Sequence, residues 1–443
     1  MRTPIAAFLR EYSTRGGTRL HMPGHKGRGF TPEISHDITE ISGADVLYTP
    51  ESIILESERL TAAIFGTART LYSTEGSSLS LKAMLALAVF YAKENGEKPL
   101  ILAARNAHKS FLHAATLLDF DIEWIFGDSV ISTAITKEIL CEKLSKMQRK
   151  PTALFLTSPD YLGNALDILA LSAVCHEYGV LLLVDNAHGA YLKFLPHDMH
   201  PITLGADACC DSAHKTLPAL TGAGYLHISK TAPKTFTLRA DEAMALFAST
   251  SPSYLILESL DLLTEYLASG YKEKLASFLP IRDEISSRLE NNGYSVLKTE
   301  PLKISVATKS YGYTGDEIAK ILEEKRIFVE FHDPDFLVVM LSPEQTWVEL
   351  LPFLETLLLL EKRSAIETSA PKPPKVERKM TPRAAAFSQT ELVKTDLALG
   401  RVLSAASVSC PPAVPILVSG EVITSEAIDA LKYYGIEKIR VVK

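Results

Sequence analysis

The sequence has no surplus of positive charge: 46 Lys and Arg face 53 Asp and Glu, for a formal net charge of −7. Without a basic excess nothing electrostatic points to nucleic acid or an anionic membrane as partner, and a small molecule is the default. Cysteine is scarce as well. Its five copies are odd in number and lack metal-ligand spacing, which argues for reduced thiols, no metal centre and a cytoplasmic setting. The adjacent Cys209 and Cys210 read as buried packing. Long hydrophobic runs are missing too. The N-terminal MRTPIAAFLREYSTRGG lacks the apolar core of a signal peptide, and LKAMLALAVFYA is too short and too soon followed by charge to span a bilayer. The expectation is a soluble, cytoplasmic protein.

What is present is an alternating pattern. A chain of 443 residues suggests two or three domains, at roughly 150 residues each. From about 60 to 230, apolar runs of strand length alternate with longer stretches of helical period, the pattern of a mainly parallel α/β sheet. The candidate strands are PLILAA (99–104), TALFLT (152–157), GVLLLVD (179–185), DACCDS (207–212) and GYLHIS (224–229), each apolar enough to be covered on both faces. The helical stretches between them stop at Gly96 and Gly179, where a C-terminal cap belongs. Two long helices follow (YLILESLDLLTEYLAS and ASFLPIRDEISSRLENNG), then short strands, a Pro-rich charged stretch at 364–386 that reads as a linker, and a last strand KIRVVK.

Ligands of open α/β sheets collect at the carboxyl ends of the strands, so the residues just after each strand are the candidates. STEGSSLSL places Gly76, Ser77 and Ser78 before a strong helix, whose free amides and the two hydroxyls make a phosphate cradle or, more blandly, a serine cap. LLLVDNAHGA ends its strand with Asp185, able to hold a cationic ligand nitrogen, with His188 three residues on; a loop cap is the plain alternative. RNAHKS puts His108 after another strand, as a ring to stack on a planar ligand. DSAHKTLPALTG sets Lys215 after the next, among small and apolar residues that favour a buried, Schiff-base-forming amine over a solvated one. The other His-Lys pair, His25-Lys26 in HMPGHKG, sits in a Gly and Pro turn. Together these groups match the needs of a phosphorylated aromatic aldehyde cofactor.

HMPGHKG, DITEISGADVLYTPESIILESERLTAAIFG, RNAHKS, TSPDYLG, VDNAHGA, DSAHKTLPALTG, TSPSYLILESLD and GYTGDEI resemble, in order from about residue 18 onward, blocks of the Orn/Lys/Arg decarboxylase family. These are fold type I enzymes dependent on pyridoxal 5'-phosphate, and the likeness is to the short Gram-positive form without an N-terminal wing domain. The resemblance implies an N-terminal arm (1–30), a large cofactor-binding α/β domain (31–245), a helical to α+β segment (246–363), the linker (364–386) and a smaller C-terminal domain (387–443). It implies that Lys215 carries the cofactor, that Ser212, His214, Gly76, Ser77 and Ser78 hold its phosphate, and that Asp185 pairs with its ring nitrogen. His108 would stack on the ring, Ala187 and His188 would lie against it, and Thr250 and Ser251 would reach the partner's phosphate in a homodimer with shared sites. The implied reaction is decarboxylation of a basic amino acid, arginine or lysine before ornithine, to a polyamine-type amine and CO2. Lys215, His188 and Asp185 would be the catalytic groups, and Glu330 and Asp333 the anionic end of the substrate pocket. Another reaction on the same cofactor, aminotransfer, β-elimination or aldol cleavage, is the alternative, since one fold hosts them all. A binding protein without turnover is disfavoured by the intact Lys215. The chain departs from the family pattern at Asn186 (usually Glu), at Ala44 to Tyr48 (usually Asp-Asp-Leu-His), and at Cys410 and Ala413 (usually Tyr and Gly).

Overall fold

The computed structural model describes residues 1–29, 31–405 and 412–443, so Cys410 and Pro411 lie outside the described residues. The chain forms two compact units, one of Met1–Pro99, Arg149–Phe155 and Ile168–Glu273, the other of Leu100–Gln148, Leu156–Asp167 and Lys274–Lys443. Strands form at Leu100–Ala104, Ala153–Thr157, Leu181–Asp185, Ala208–Asp211 and Gly224–Ile228, close to the expected bounds. Gly96 and Gly179 take left-handed φ values of 71° and 63° where the helices were expected to stop.

In the first unit Leu181–Asp185 pairs in parallel with Ala208–Asp211, with Asp185 opposite Cys210. Ala208–Asp211 then pairs antiparallel with Gly224–Ile228, which runs antiparallel to Arg69–Ser73. The sheet is therefore mixed here. The chain between Asp211 and Gly224 holds only the four-residue helix Ala213–Thr216, too little for the helical crossover that a parallel return needs. Arg69–Ser73 is a strand that the sequence did not advertise, because RTLYS is short and polar at both ends. The helix Gly76–Glu94 buries Leu79, Leu81, Met84, Leu85 and Leu87 and packs on Ala208–Asp211 and Gly224–Ile228. At the N-terminus, helix Pro4–Arg15 packs on Tyr254–Ala268, and the Ala6 N–H donates to Asp261 Oδ2 at 3.0 Å.

In the second unit Leu100–Ala104 pairs in parallel with Asp121–Ile125. Lys303–Ala307 pairs antiparallel with Phe336–Met340, and Thr390–Lys394 with Lys438–Val442, the strand expected from KIRVVK. The helix Tyr271–Asn291 contains Pro280. The stretch expected as a linker ends in structure, with Arg378 bridged to Glu421 and a helix at Pro382–Ala386. Leu100–Gln148 and Leu156–Asp167, inside the stretch expected as one large domain, group with the C-terminal half of the chain. No helix among the described residues is long and apolar enough to cross a membrane.

Ala413, at the position where the family pattern has Gly, has φ of 58°, and its carbonyl accepts from the Lys109 N–H at 2.9 Å. An L-residue there is crowded by about 1 kcal/mol or more, partly offset by the greater freedom of an unfolded glycine. Ala413→Gly is expected to raise stability by about 0.5–1 kcal/mol. Thermal unfolding of the two proteins checks it; a lower midpoint for the glycine variant would contradict it.

Candidate active site

Three segments of the first unit converge at the ends of its strands. Helix Gly76–Glu94 starts right after Arg69–Ser73, so its first amides, with Ser77 and Ser78, sit at a strand end as the sequence suggested. The Ser212 hydroxyl, first residue after the next strand but one in space, donates to Ser77 Oγ at 2.7 Å. The TGAG tract behind Lys215 lets this cradle form. Gly76 N–H donates to the Gly222 carbonyl at 2.7 Å, and a Cβ on Gly224 would stand 2.9 Å from Gly76 C and 3.0 Å from Ser77 N, so only glycine fits. His214 donates through Nδ1 to the Ala223 carbonyl at 2.7 Å, which turns its ring edge to Gly76: a Cβ there would lie 3.6 Å from His214 Cε1. Burial lowers the pKa of His214, and the Lys215 charge adds to the effect.

Asp185 is buried at the end of Leu181–Asp185. Its carboxylate accepts from the Ala187 N–H at 3.2 Å and the Cys210 thiol at 3.6 Å. Burial pushes its carboxyl up, while Lys215 pulls the other way. Lys215 Nζ lies 3.1 Å from His188 Nε2, and His188 is buried. Lys215 itself is exposed in the single chain, so the buried setting expected from its small and apolar neighbours is not supplied. Sequence distance hides why these groups meet: the parallel register that sets Asp185 against Cys210 brings the two strand ends side by side.

Thr250 and Ser251 are exposed, on a loop whose Ser249 N–H donates to Glu75 Oε1 at 2.8 Å, which ties it to the residue before the cradle. Glu75 was not singled out, and nothing in its sequence context marks it.

The remaining expected residues belong to the second unit. His108 caps helix Lys109–Leu118, its Nδ1 accepting from the Ser110 N–H at 3.2 Å. Glu330 is half-buried and accepts from the Tyr161 hydroxyl at 2.6 Å. Asp333 closes a turn, with Oδ1 accepting from the N–H groups of Asp335 at 2.8 Å and Phe336 at 2.7 Å; burial raises its carboxyl to about 6.

Two other motifs have structural settings. His25 Nε2 lies 3.1 Å from Asp37 and its Nδ1 accepts from the Gly27 N–H, in the turn expected for HMPGHKG. In the Ala44 to Tyr48 departure, both Asp45 and Tyr48 have φ of 71°. Burial acts to raise the Asp45 carboxyl, but the N–H groups of Glu51, Ser52, Val46 and Ile54 together hold it below the usual range. Cys209 and Cys210 are buried, as expected.

Solved structures share this fold. Against the lysine decarboxylase LdcF of Francisella novicida the TM-score is 0.83 at 19% identity, covering 100% of this chain and 81% of that one. Against the constitutive lysine decarboxylase of E. coli it is 0.78 at 19% identity, covering 100% and 82%. The chain thus has the fold type I α/β architecture. Its sequence narrows the class: residues 3–296 match the Orn/Lys/Arg decarboxylase major domain, and the chain belongs to that family. Relatives include the arginine decarboxylases of Bacillus subtilis, 28% identical over 96% of this chain and 92% of the relative, and of Bacillus anthracis, 28% identical over 97% and 92%.

Proposed function

We propose that the protein is a pyridoxal 5'-phosphate-dependent decarboxylase of a basic amino acid, arginine or lysine ahead of ornithine, that releases CO2 and a polyamine-type amine. The observation that carries this reading is one arrangement: a buried Asp185, a Lys215 amine 3.1 Å from His188, and a two-serine cradle at the head of a long helix, all in one unit. The donor set fits the cofactor. Among the described residues the hydrogen-bond donors to this buried carboxylate are one N–H and one thiol, with no cation bonded directly to it, and a pyridinium nitrogen would supply one. A cradle of helix amides and hydroxyls suits a phosphate.

The cofactor supplies an electron sink for the pair of electrons left when the α-carboxylate departs as CO2. Gly76, Ser77 and Ser78, with Ser212 and His214, would hold the phosphate end. Asp185, a carboxylate that burial makes costly to leave unpaired, would keep the proton on the ring nitrogen. Lys215 would hold the cofactor through Nζ until the substrate amine displaced it, and the freed Lys215 or the His188 imidazole, whose Nε2 lies 3.1 Å from Nζ, would then supply the proton that Cα takes up when CO2 has left. Ala187 and His188 would line the ring, and the family resemblance assigns the stacking role to His108. Glu330 and Asp333 are the carboxylates we assign, by the same reading, to the distal ammonium or guanidinium of the substrate. In a homodimer Thr250 and Ser251 extend toward the phosphate bound by the second copy. A cytoplasmic location goes with this reading, since amino acid and cofactor are both there.

Incubating the cofactor-loaded protein with arginine, lysine and ornithine separately, and measuring CO2 and amine, is expected to give the two in equal amounts, fastest with arginine or lysine. A keto acid formed without CO2 would overturn the proposal in favour of aminotransfer.

A further inference from the structure

Asn186, which stands where the family usually has glutamate, is wholly buried beside Asp185. Its Nδ2 donates to Asp211 Oδ1 at 2.8 Å, its N–H donates to the Cys210 carbonyl at 3.0 Å, and its own carbonyl accepts from the Gly189 N–H at 2.8 Å. The side chain fills the space that a larger residue 189 would need: a Cβ on Gly189 would fall 2.0 Å from Asn186 Oδ1. Asp211 is equally buried. Its other oxygen, Oδ2, lies 3.0 Å from His200 Nε2 and 3.3 Å from His227 Nε2. Thr70 Oγ1, 2.8 Å from His227 Nδ1, sets the direction of that ring, and Phe65 packs on both imidazoles. Burial alone would raise the Asp211 carboxyl, but the two histidines bring it well below the usual range. Its surroundings are those of a carboxylate, with Oδ1 accepting from the Asn186 amide and Oδ2 facing two imidazole nitrogens, and an ionised buried oxygen accepts hydrogen bonds and gives none.

That charge dictates what can stand at 186. A glutamate or aspartate there would put two buried carboxylates in contact, and one would have to take up a proton or move away. An amide donates instead. Side chains alternate along a strand, so Asp211 and Cys210 point to opposite faces, and Cys210 is the residue whose thiol donates to Asp185.

We propose that Asp211 is a positioning residue: through Asn186 it fixes the turn of residues 186–189 that presents Asp185, Ala187 and His188, and Asn186 replaces the usual glutamate because the charge of the pair resides on Asp211. This rests on the reading of Asp185 and His188 as cofactor-binding and reacting groups. In this reading Asp211 acts through Asn186 and not on the reacting atoms.

The test is the set Asn186→Asp, Asp211→Asn and the double variant N186D/D211N, in the full chain. Three quantities are measured: the pyridoxal phosphate dissociation constant of the apoprotein, kcat and KM for CO2 release, and the thermal midpoint of the apoprotein. Each single variant is expected to weaken cofactor binding about tenfold and to lower kcat by a similar factor with little change in KM, because the reacting groups are misplaced and not removed. The double variant restores one carboxylate facing one amide and is expected to recover at least threefold over the product of the single losses. Two results overturn the proposal: a fall in the apo midpoint with cofactor affinity and kcat unchanged, or losses that simply multiply in the double variant. Where N186D does not fold, D211N decides by itself, since it removes the charge and keeps the shape. Should the wild-type protein bind the cofactor but release no CO2, the functional reading fails alone, because cofactor affinity still separates the variants.

Discussion

Replacing Lys215 by alanine is expected to lower CO2 release by at least about 10³-fold, because the His188 imidazole beside it can move a proton but cannot attach the cofactor as an amine does. Lys215 sits in the short helix Ala213–Thr216 with its side chain largely exposed and its Nζ on His188, so alanine opens no large buried cavity. The fold should therefore persist, and the loss would be chemical. Lys215→Arg sharpens the point. It keeps the positive charge beside His188 but offers no nucleophilic amine, and it is expected to be as inactive as the alanine variant. Borohydride reduction of the cofactor-loaded protein followed by peptide mass analysis should place the label on Lys215 and nowhere else. Substantial turnover by K215A, or a label on Lys26 or Lys109, would mean that the site has been assigned to the wrong lysine.

The largest stability effect is expected in the second unit, at Arg105, which belongs to the RNAHKS block but was not singled out there. Arg105 is buried, and its guanidinium donates to the carbonyls of Pro415 at 3.2 Å and Ile416 at 3.0 Å and to Glu421 Oε2 at 3.1 Å. It also lies over the Trp124 ring, 5.1 Å from the centroid. Glu421 is buried as well, and besides Arg105 it accepts from the Val418 N–H at 2.7 Å. Burial raises the Glu421 carboxyl and the Arg105 charge opposes that rise. Arg105→Met strands two carbonyls and a buried carboxylate, and removing one partner of such a pair costs about 3–5 kcal/mol. For a unit of this size that corresponds to a fall of roughly 10 °C in its thermal midpoint. The double variant R105M/E421Q removes the stranded charge and should recover part of the loss. A midpoint within about 2 °C of wild type for R105M would show that the pair contributes little.

Much of the fold was legible because its strands are covered on both faces. Continuous apolar runs such as LLLV stand out against any background, and the glycines that end the helices stand out with them. Arg69–Ser73 and Asp121–Ile125 were not legible, since their burial comes from what packs on them and leaves only a weak imprint on composition. The antiparallel direction of Gly224–Ile228 was also hidden: an apolar run records that a strand is buried, and strand direction depends on how the chain gets there.

The site divides in the same way. By itself the sequence determined which residue types stand at strand ends, and so the candidates Ser77, Ser78, Asp185, His188 and Lys215, because chemistry of this kind requires a lysine, a carboxylate and a phosphate cradle at fixed places in the alternating pattern; Ser212 entered only through the family resemblance. Only the tertiary structure decided which groups touch. It put Lys215 on His188 and left it exposed, pressed the Gly222 and Gly224 backbone against the cradle, and joined Asn186 to Asp211 with His200 and His227 behind it. Those contacts depend on strand register and on close packing across the sheet, which place residues far apart in the chain within hydrogen-bond distance, and neither register nor packing is written into the local run of residues.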